Sequence, residues 1–131
     1  MAGQRRSELT VIMKAKDLSA YIVTITQKSP KQFRFTFVSR MQNLSLDVIE
    51  NIYLANETYL AEPRLQEMLQ RRLDYQYTAL TNIKLLTFVA EIAMEHRCIL
   101  PKHFEQIAIK ALECQRLLGA WINSDKRRHQ N

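Results

Sequence analysis

The sequence predicts an all-α protein, folded as one antiparallel, up-down four-helix bundle over residues 1–131. Three observations lead to this fold class. Apolar residues recur at three- and four-residue spacing through most of the chain, as they do on the buried face of an amphipathic helix. Glycine and proline number only two and three, so tight turns are few. A chain of 131 residues is also long enough to bury one hydrophobic core without disulfides or bound metal.

The first helix is predicted at about residues 8–28. Its apolar positions fall near one face: Leu9, Ile12, Met13, Leu18, Ile22 and Ile25. The segment KSPKQ then interrupts the pattern. Here Ser29 is a candidate N-cap for the next helix, with Pro30 at the first helical position and Gln32 at the spacing of a capping box.

The second helix is predicted at about residues 30–57. Its main apolar stripe contains Phe37, Met41, Leu44, Val48, Ile52 and Ala55. Three further apolar residues, Leu46, Ile49 and Tyr53, widen the stripe to a second face. A widened stripe predicts that this helix packs against more than one neighbour, and therefore that the protein is not a monomer.

The third and fourth helices are predicted at about residues 62–97 and 101–123. The third begins with the charged segment RLQEMLQRRLDYQ and ends before Pro101, because the residue preceding a proline avoids the helical conformation. The apolar residues of the fourth follow helical spacing closely: Phe104, Ile107, Ala108, Ala111, Cys114, Leu118, Trp121 and Ile122. Residues 124–131 are predicted to form a basic tail.

Gly119 and Trp121 near the end of the fourth helix are candidate structural residues. Glycine inside a helix costs about 1 kcal/mol relative to alanine, so its presence needs a reason. Close packing against an aromatic ring from another helix is the interpretation we favour, since a missing side chain permits close approach. A frayed last turn, where glycine costs little, is the alternative.

The charge indicates an anionic partner. The formal net charge is +6 and the isoelectric point is about 9.5. Nucleic acid is the commonest partner of such a surface; an acidic protein or a membrane surface is possible, and so is a basic surface that only contacts solvent. Cys98 and Cys114 lack the CxxC spacing and are expected to be reduced. With no signal peptide and no apolar run of the ~18 residues that span a membrane, the sequence predicts a cytoplasmic protein with no membrane partner.

Known catalytic and metal-binding patterns are not found in the sequence. His96, His103 and His129 do not have the spacing of zinc ligands, and the helices lack the paired Glu-x-x-His motifs of di-iron bundles. Two glycines cannot build a phosphate-binding loop. We therefore expect a protein that is not an enzyme, with no catalytic residue, metal site or cofactor.

Two segments resemble a known family. FRFTFVSRMQN, residues 33–43, and QRLLGAWINSDKRR, residues 115–128, are similar to the bacterial four-helix-bundle family that contains the accessory variability determinant of diversity-generating retroelements. The same broad fold includes proteins encoded within ribosomal RNA intervening sequences. The similarity spans nearly the whole chain.

The resemblance implies a homopentameric barrel of four-helix bundles. It also implies binding to a reverse transcriptase and to template RNA or cDNA, in support of mutagenic retrohoming. Arg34 and Arg40 match the basic positions around the RFT segment, and Gly119 and Trp121 match the small–aromatic ending.

The family carries two basic residues one turn apart on its third helix, where this chain has Lys84 followed by Phe88. The missing charge is expected to be supplied by Arg71, Arg72 and the tail. The candidate nucleic-acid-binding residues are therefore Arg34, Arg40, Arg71, Arg72, Lys84, Lys126, Arg127 and Arg128.

Two other functions remain open: an intervening-sequence type of bundle without a polymerase partner, and a generic oligomeric scaffold that binds an acidic protein.

Overall fold

A computed structural model describes the backbone of residues 2–129 and the side chains of residues 10–129. Within that range the chain is helical, and four helices pack against one another, which confirms the predicted class and number of helices. The long helices are α1 (Ala2–Thr26), α2 (Ser39–Asn56), α3 (Leu65–Glu95) and α4 (Pro101–His129). A 3₁₀ turn (Lys31–Phe33) and a π-helical turn (Arg34–Val38) lead directly into α2.

Neighbouring helices run antiparallel. Late α1 meets early α2, where the Gln42 amide donates to the Thr26 hydroxyl at 3.0 Å. The beginning of α3 meets the end of α4, where the Gln66 amide donates to the backbone carbonyl of His129 at 2.7 Å. Each helix packs on the two that are adjacent in a closed α1–α2–α3–α4 order. This arrangement brings the α1–α2 and α3–α4 connections to the same end of the bundle.

The helix boundaries differ in several places. α1 begins at Ala2, about six residues before the predicted start, and the α-helical part of the second helix begins at Ser39, about nine residues after the predicted start. Among the C-terminal ends, the largest difference is in α4. The helix continues to His129, so the predicted separate tail is wrong for residues 124–129, while residues 130–131 lie outside the described part. The physical reason is that the buried stripe of Trp121 and Ile122 extends one turn further to Asp125, which is fully buried. Helix α3 is also shorter than predicted at both ends.

The start of α2 is built differently from the predicted capping box. No side chain caps the 3₁₀ turn, whose N-terminal flanking residue is Pro30. The Ser29 hydroxyl instead donates to the carbonyl oxygen of Cys98 at 2.8 Å. Ser29 therefore joins the α1–α2 connection to the α3–α4 connection.

The core follows the predicted stripes for most of their length. Large residues that are fully buried include Leu18, Ile22, Met41, Ile52, Ile107, Leu118 and Trp121. Met13 is an exception, because it lies on the solvent side of α1, and the side chain of Leu9 is outside the described residues. The second face of α2 is not covered within the chain, since Leu46 and Tyr53 are exposed.

Gly119 does not make the close contact that we predicted. A Cβ atom built at this position has no neighbour within 4 Å apart from the adjoining chain. The residue is not in a frayed turn either, because α4 continues for ten residues beyond it. Gly119 lies on the outer side of a continuous helix, whereas Trp121 points into the core and is 1% exposed.

In the part of the chain that the structure describes, no helix combines the length and the apolar character needed to cross a membrane.

Candidate nucleic-acid interface

Arg72, a predicted nucleic-acid contact, is buried inside the bundle. Its guanidinium forms an ion pair with Asp125, with Nε 2.9 Å from Oδ2, and it lies over the Trp121 ring at 5.1 Å from the centroid. The side-chain amide of Gln76 donates to the same carboxylate at 2.8 Å. Because the arginine is held by a buried carboxylate, it is not available to a phosphate, and we withdraw it as a candidate.

The cationic stripe predicted along α3 is also absent. Arg71 and Lys84 are both exposed, but they are 13 positions apart, which places them about 140° apart around the helix axis. The two side chains therefore point to different sides of α3. With Arg72 buried between them, they do not form one continuous surface.

The three basic residues of the predicted tail lie in the last turns of α4. The ammonium of Lys126 is 5.3 Å from the centre of the Tyr77 ring, a cation–π contact that directs it toward α3. Arg127 and Arg128 are exposed. This end of the bundle also contains Glu67, which pairs with Arg64 at 2.7 Å, so the charge there is mixed.

Arg34 and Arg40 lie at the opposite end of the bundle. Most of the cations at that end were not among the candidates predicted from the sequence. Four further cations are exposed there: Lys28, Lys31 and Arg97 from the two connections, and Lys102 from the first turn of α4. We call the exposed side chains of Lys28, Lys31, Arg34, Phe35, Arg40, Arg97 and Lys102 the loop-end surface.

The loop-end surface holds much of the positive excess of the protein. Six of the 19 Lys and Arg residues lie within 26–40 and 96–104, which contain no Asp or Glu, and the exposed residues Glu95 and Glu105 flank the second segment. Counted with these two carboxylates, the region carries a formal charge of +4 out of the net +6. Among the described side chains, none of the six forms an ion pair. An acid-free run from residue 18 to residue 46 was the sequence signal for this surface.

A hydrogen bond, two buried side chains and a ring contact hold the two connections in place. The bond from Ser29 to Cys98 links them directly, and the buried side chains of Cys98 and Ile99 insert the α3–α4 connection into the core. The rings of Phe37 and His96 pack at 5.5 Å between centroids. The basic side chains therefore project from a backbone that is anchored on both sides.

Arg97 occupies a backbone position that usually favours glycine. Helix α3 ends in a Schellman motif, in which the N–H of Cys98 donates to the carbonyl of Ala93 (2.8 Å) and the N–H of Arg97 to that of Met94 (2.9 Å). Arg97 has a left-handed φ of 65°, which costs an L-residue about 1–2 kcal/mol. An arginine is present here in spite of this conformational cost.

Two cavities open on the loop-end surface. One, of about 370 Å³, is bordered by the cations Lys31 and Arg34 and by the Phe35 ring. The other, of about 320 Å³, is bordered by Lys28, Arg97 and His103. Ser29 and Pro30 border both cavities, so the two are adjacent and separated by a narrow ridge.

The charge state of His103 follows from its surroundings. Burial, and then the positive charge of Lys102, lower the pKa of its imidazole. Its Nδ1 accepts a hydrogen bond from the backbone N–H of Leu100 at 3.2 Å, as a neutral ring does. The site is therefore positive because of its lysines and arginines, with a neutral histidine in its wall.

Within residues 10–129, no group of three His, Cys, Asp or Glu side chains is placed to hold a metal ion. The chemistry of the loop-end surface is that of anion binding, since it offers several ammonium and guanidinium donors, while the exposed carboxylates of Glu95 and Glu105 lie two residues from Arg97 and three from Lys102 along the chain. No family model matches the chain, and no curated protein is significantly similar to it.

Proposed function

We propose that this protein is a non-enzymatic accessory factor of a diversity-generating retroelement, which binds nucleic acid and a reverse transcriptase during mutagenic retrohoming. The observation that carries the nucleic-acid part is the concentration of six exposed cations on the loop-end surface, a region that holds most of the positive excess. The polymerase, template RNA or cDNA and retrohoming parts rest on the resemblance of residues 33–43 and 115–128. One of these two segments includes Arg34, Phe35 and Arg40 of the loop-end surface.

A phosphate backbone fits this surface for electrostatic reasons. Cations that have no carboxylate partner are neutralised by phosphates, and the counterions released from the nucleic acid favour binding. Phosphate contacts position a protein without specifying sequence. A factor that accompanies a polymerase along a template needs this kind of contact.

The proposal includes a homopentamer in the cytoplasm. Several large apolar side chains remain exposed on the single chain, among them Leu46, Tyr53, Phe88 and Leu112. Large apolar side chains that a single chain leaves exposed are typical of interfaces between subunits where they cluster. A pentamer would present five copies of the loop-end surface. The unpaired thiols of Cys98 and Cys114 fit a reducing compartment.

The nucleic-acid part is tested by changing four loop-end cations, Lys28, Lys31, Arg34 and Arg97, to glutamine. Affinity for single-stranded RNA and DNA is measured at several salt concentrations. The expected result is a large loss of affinity. The slope of log affinity against log salt concentration should also become shallower by about 0.7 for each phosphate contact removed. The matched control changes Arg71, Lys84, Arg116 and Arg127 to glutamine, which removes the same charge from other exposed positions.

The control should lose much less affinity than the loop-end variant. Equal losses in the two variants would show that only net charge matters and would remove the loop-end assignment. A parent protein that binds no nucleic acid at low salt would overturn the nucleic-acid function itself.

The polymerase part is tested by gene neighbourhood and by co-purification. A reverse transcriptase gene beside this one, with a template–variable repeat pair, is expected, and the two proteins should co-purify when expressed together. A neighbourhood inside a ribosomal RNA gene, with no polymerase partner, would instead favour the intervening-sequence type of bundle.

A further inference from the structure

Phe35 is exposed in a way that the fold does not explain. Of the three phenylalanines in FRFTF, Phe33 and Phe37 pack against each other with centroids 5.6 Å apart, and both contact the core. Phe35 points outward and is 87% exposed, more than any other large apolar side chain described. It lies on a π-helical turn, an irregularity that is frequent at functional sites.

The surroundings of Phe35 match the parts of a nucleotide. The ring borders the larger cavity together with Lys31 and Arg34, which can bind phosphate oxygens. The amides of Gln27 and Gln42 border the same cavity. Gln42 already donates to Thr26 and offers its carbonyl oxygen as an acceptor, while Gln27 can offer a donor or an acceptor to a base edge or a ribose. An aromatic face, cations and amides are therefore collected around one opening.

A second cationic cavity adjoins the first across the Ser29–Pro30 ridge. It contributes Lys28 and Arg97, which can hold the phosphate of a neighbouring nucleotide. Two adjacent cationic openings suit a strand that crosses the ridge, with a base over Phe35 on one side and its backbone continuing on the other.

We propose that the loop-end surface binds single-stranded nucleic acid, with one base stacked on Phe35 and the backbone held by Lys28, Lys31, Arg34 and Arg97. This inference rests on the proposed nucleic-acid function and specifies its substrate. A duplex keeps its bases stacked inside the helix, where an outward-pointing ring cannot reach their faces. Stacking on an aromatic side chain combined with a cationic groove is the usual way in which proteins hold single strands without sequence preference.

The test measures binding of fluorescently labelled oligo(U), oligo(dT) and a DNA duplex to the intact protein by anisotropy. The parent protein should bind both single strands more tightly than the duplex. Phe35→Ala should weaken single-strand binding about 5- to 150-fold, the usual range for loss of one stacked base, with the salt dependence unchanged. Phe35→Trp should restore binding, because the stacking face is retained.

Tyr59→Ala is the matched control, since Tyr59 is also an exposed aromatic residue, at 79%, and lies in the connection between α2 and α3 at the other end of the bundle. It should leave single-strand affinity unchanged. The high exposure of Phe35 makes misfolding of its variants improbable on physical grounds, and the thermal transition of each variant checks this directly.

Four results would overturn the proposal. Equal affinity of the parent for single strand and duplex, or unchanged affinity in Phe35→Ala, would leave nucleic-acid binding standing but remove the stacked single strand. Competition by mononucleotides as effective as competition by the strand would assign the cavity to free nucleotides. Binding of polyglutamate as tight as that of the strands would make this a surface for acidic proteins.

Discussion

Two arginines near opposite ends of α3 show how context decides what a cation does. Arg72, in the first third of the helix, is buried, pairs with Asp125 and lies over the Trp121 ring. Arg97, just beyond the last turn, is exposed, has no ion-pair partner among the described side chains and occupies a left-handed backbone position. What distinguishes the structural arginine from the candidate ligand-binding arginine is whether a carboxylate pairs with its side chain. The number of arginines nearby in the sequence does not distinguish them.

The comparison also applies to whole regions. At the Arg72 end, charges are internally matched, by Asp125 inside the bundle and by the Arg64–Glu67 pair on the surface. At the loop end, the six cations face solvent, and none of them pairs with the flanking carboxylates of Glu95 and Glu105. The paired charges at the first end stabilise the fold. The unpaired cations at the loop end repel one another in the absence of a ligand and are available to bind one.

The largest effect is expected from Asp125→Ala. This change leaves the buried guanidinium of Arg72 without its carboxylate, and removal of one partner of a buried ion pair destabilises a protein by about 3–5 kcal/mol. Urea unfolding monitored by far-ultraviolet circular dichroism measures the loss. Because Trp121 lies against Arg72, its fluorescence should change in the same transition.

Glu67→Ala is the control, since it breaks the exposed pair with Arg64 and should hardly change stability. The triple variant Arg72→Met, Gln76→Leu, Asp125→Leu should recover most of the loss, because apolar side chains replace the two buried charges and the buried amide that donates to Asp125. A single variant, Asp125→Ala, with parental stability would place Arg72 in contact with water and remove the contrast between the two ends.

The sequence predicted the bundle because periodic apolar stripes report burial directly. Leu18, Met41, Ile52, Leu118 and Trp121 were expected in the core and are found there. Periodicity carries this information locally, within a few turns of helix, so it does not depend on knowing which helices become neighbours.

The ion pair was missed because it joins residues 53 positions apart. Asp125 is four residues after Trp121, so it continues the buried stripe of α4, and an acidic residue in that stripe indicates a buried cation elsewhere. Reading the last residues as a tail hid this signal. The identity of the partner, Arg72 and not Arg71, depends on the rotation of α3, which no local pattern specifies.

The loop-end surface was missed for a related reason. The run without acidic residues around Lys28, Lys31 and Arg34 is visible in the sequence. Its neighbours Arg97 and Lys102 come from the α3–α4 connection and the first turn of α4, about 70 residues later. Only the closed order of the helices and the bond between Ser29 and Cys98 bring the two segments together. Charge alone does not report such an arrangement.

A smaller effect on stability, of opposite sign, is expected at Arg97. Arg97→Gly should stabilise the fold by about 1 kcal/mol, because glycine adopts the left-handed position without the steric cost of a Cβ atom. The same change should weaken single-strand binding and lower its salt dependence by the equivalent of one phosphate contact. Urea unfolding and anisotropy titrations are made on the same preparation.

Arg97→Ala separates the two effects, since it removes the charge and keeps the Cβ atom. It should weaken binding without the gain in stability. If Arg97→Gly instead lost stability, the arginine side chain would be contributing structural contacts, and the two arginines would no longer differ in kind.

The smallest effect is expected from Gly119→Ala, on the same helix as Asp125 but on its outer side. A Cβ atom at this position meets nothing within 4 Å apart from the adjoining chain, so the substitution gains helix propensity without a steric cost. We expect a gain of about 0.5–1 kcal/mol, measured as a higher urea midpoint with an unchanged slope.

Ala120→Gly, at the neighbouring exposed position, is the control and should lose a similar amount of stability. Together with Asp125→Ala, this pair tests whether the sensitivity of late α4 lies in its buried ion pair and not in the helix ending as a whole. No change in either glycine variant would mean that the last turns are frayed in solution. A loss in Gly119→Ala, accompanied by dissociation into smaller species in sedimentation, would show that another subunit packs on this bare position.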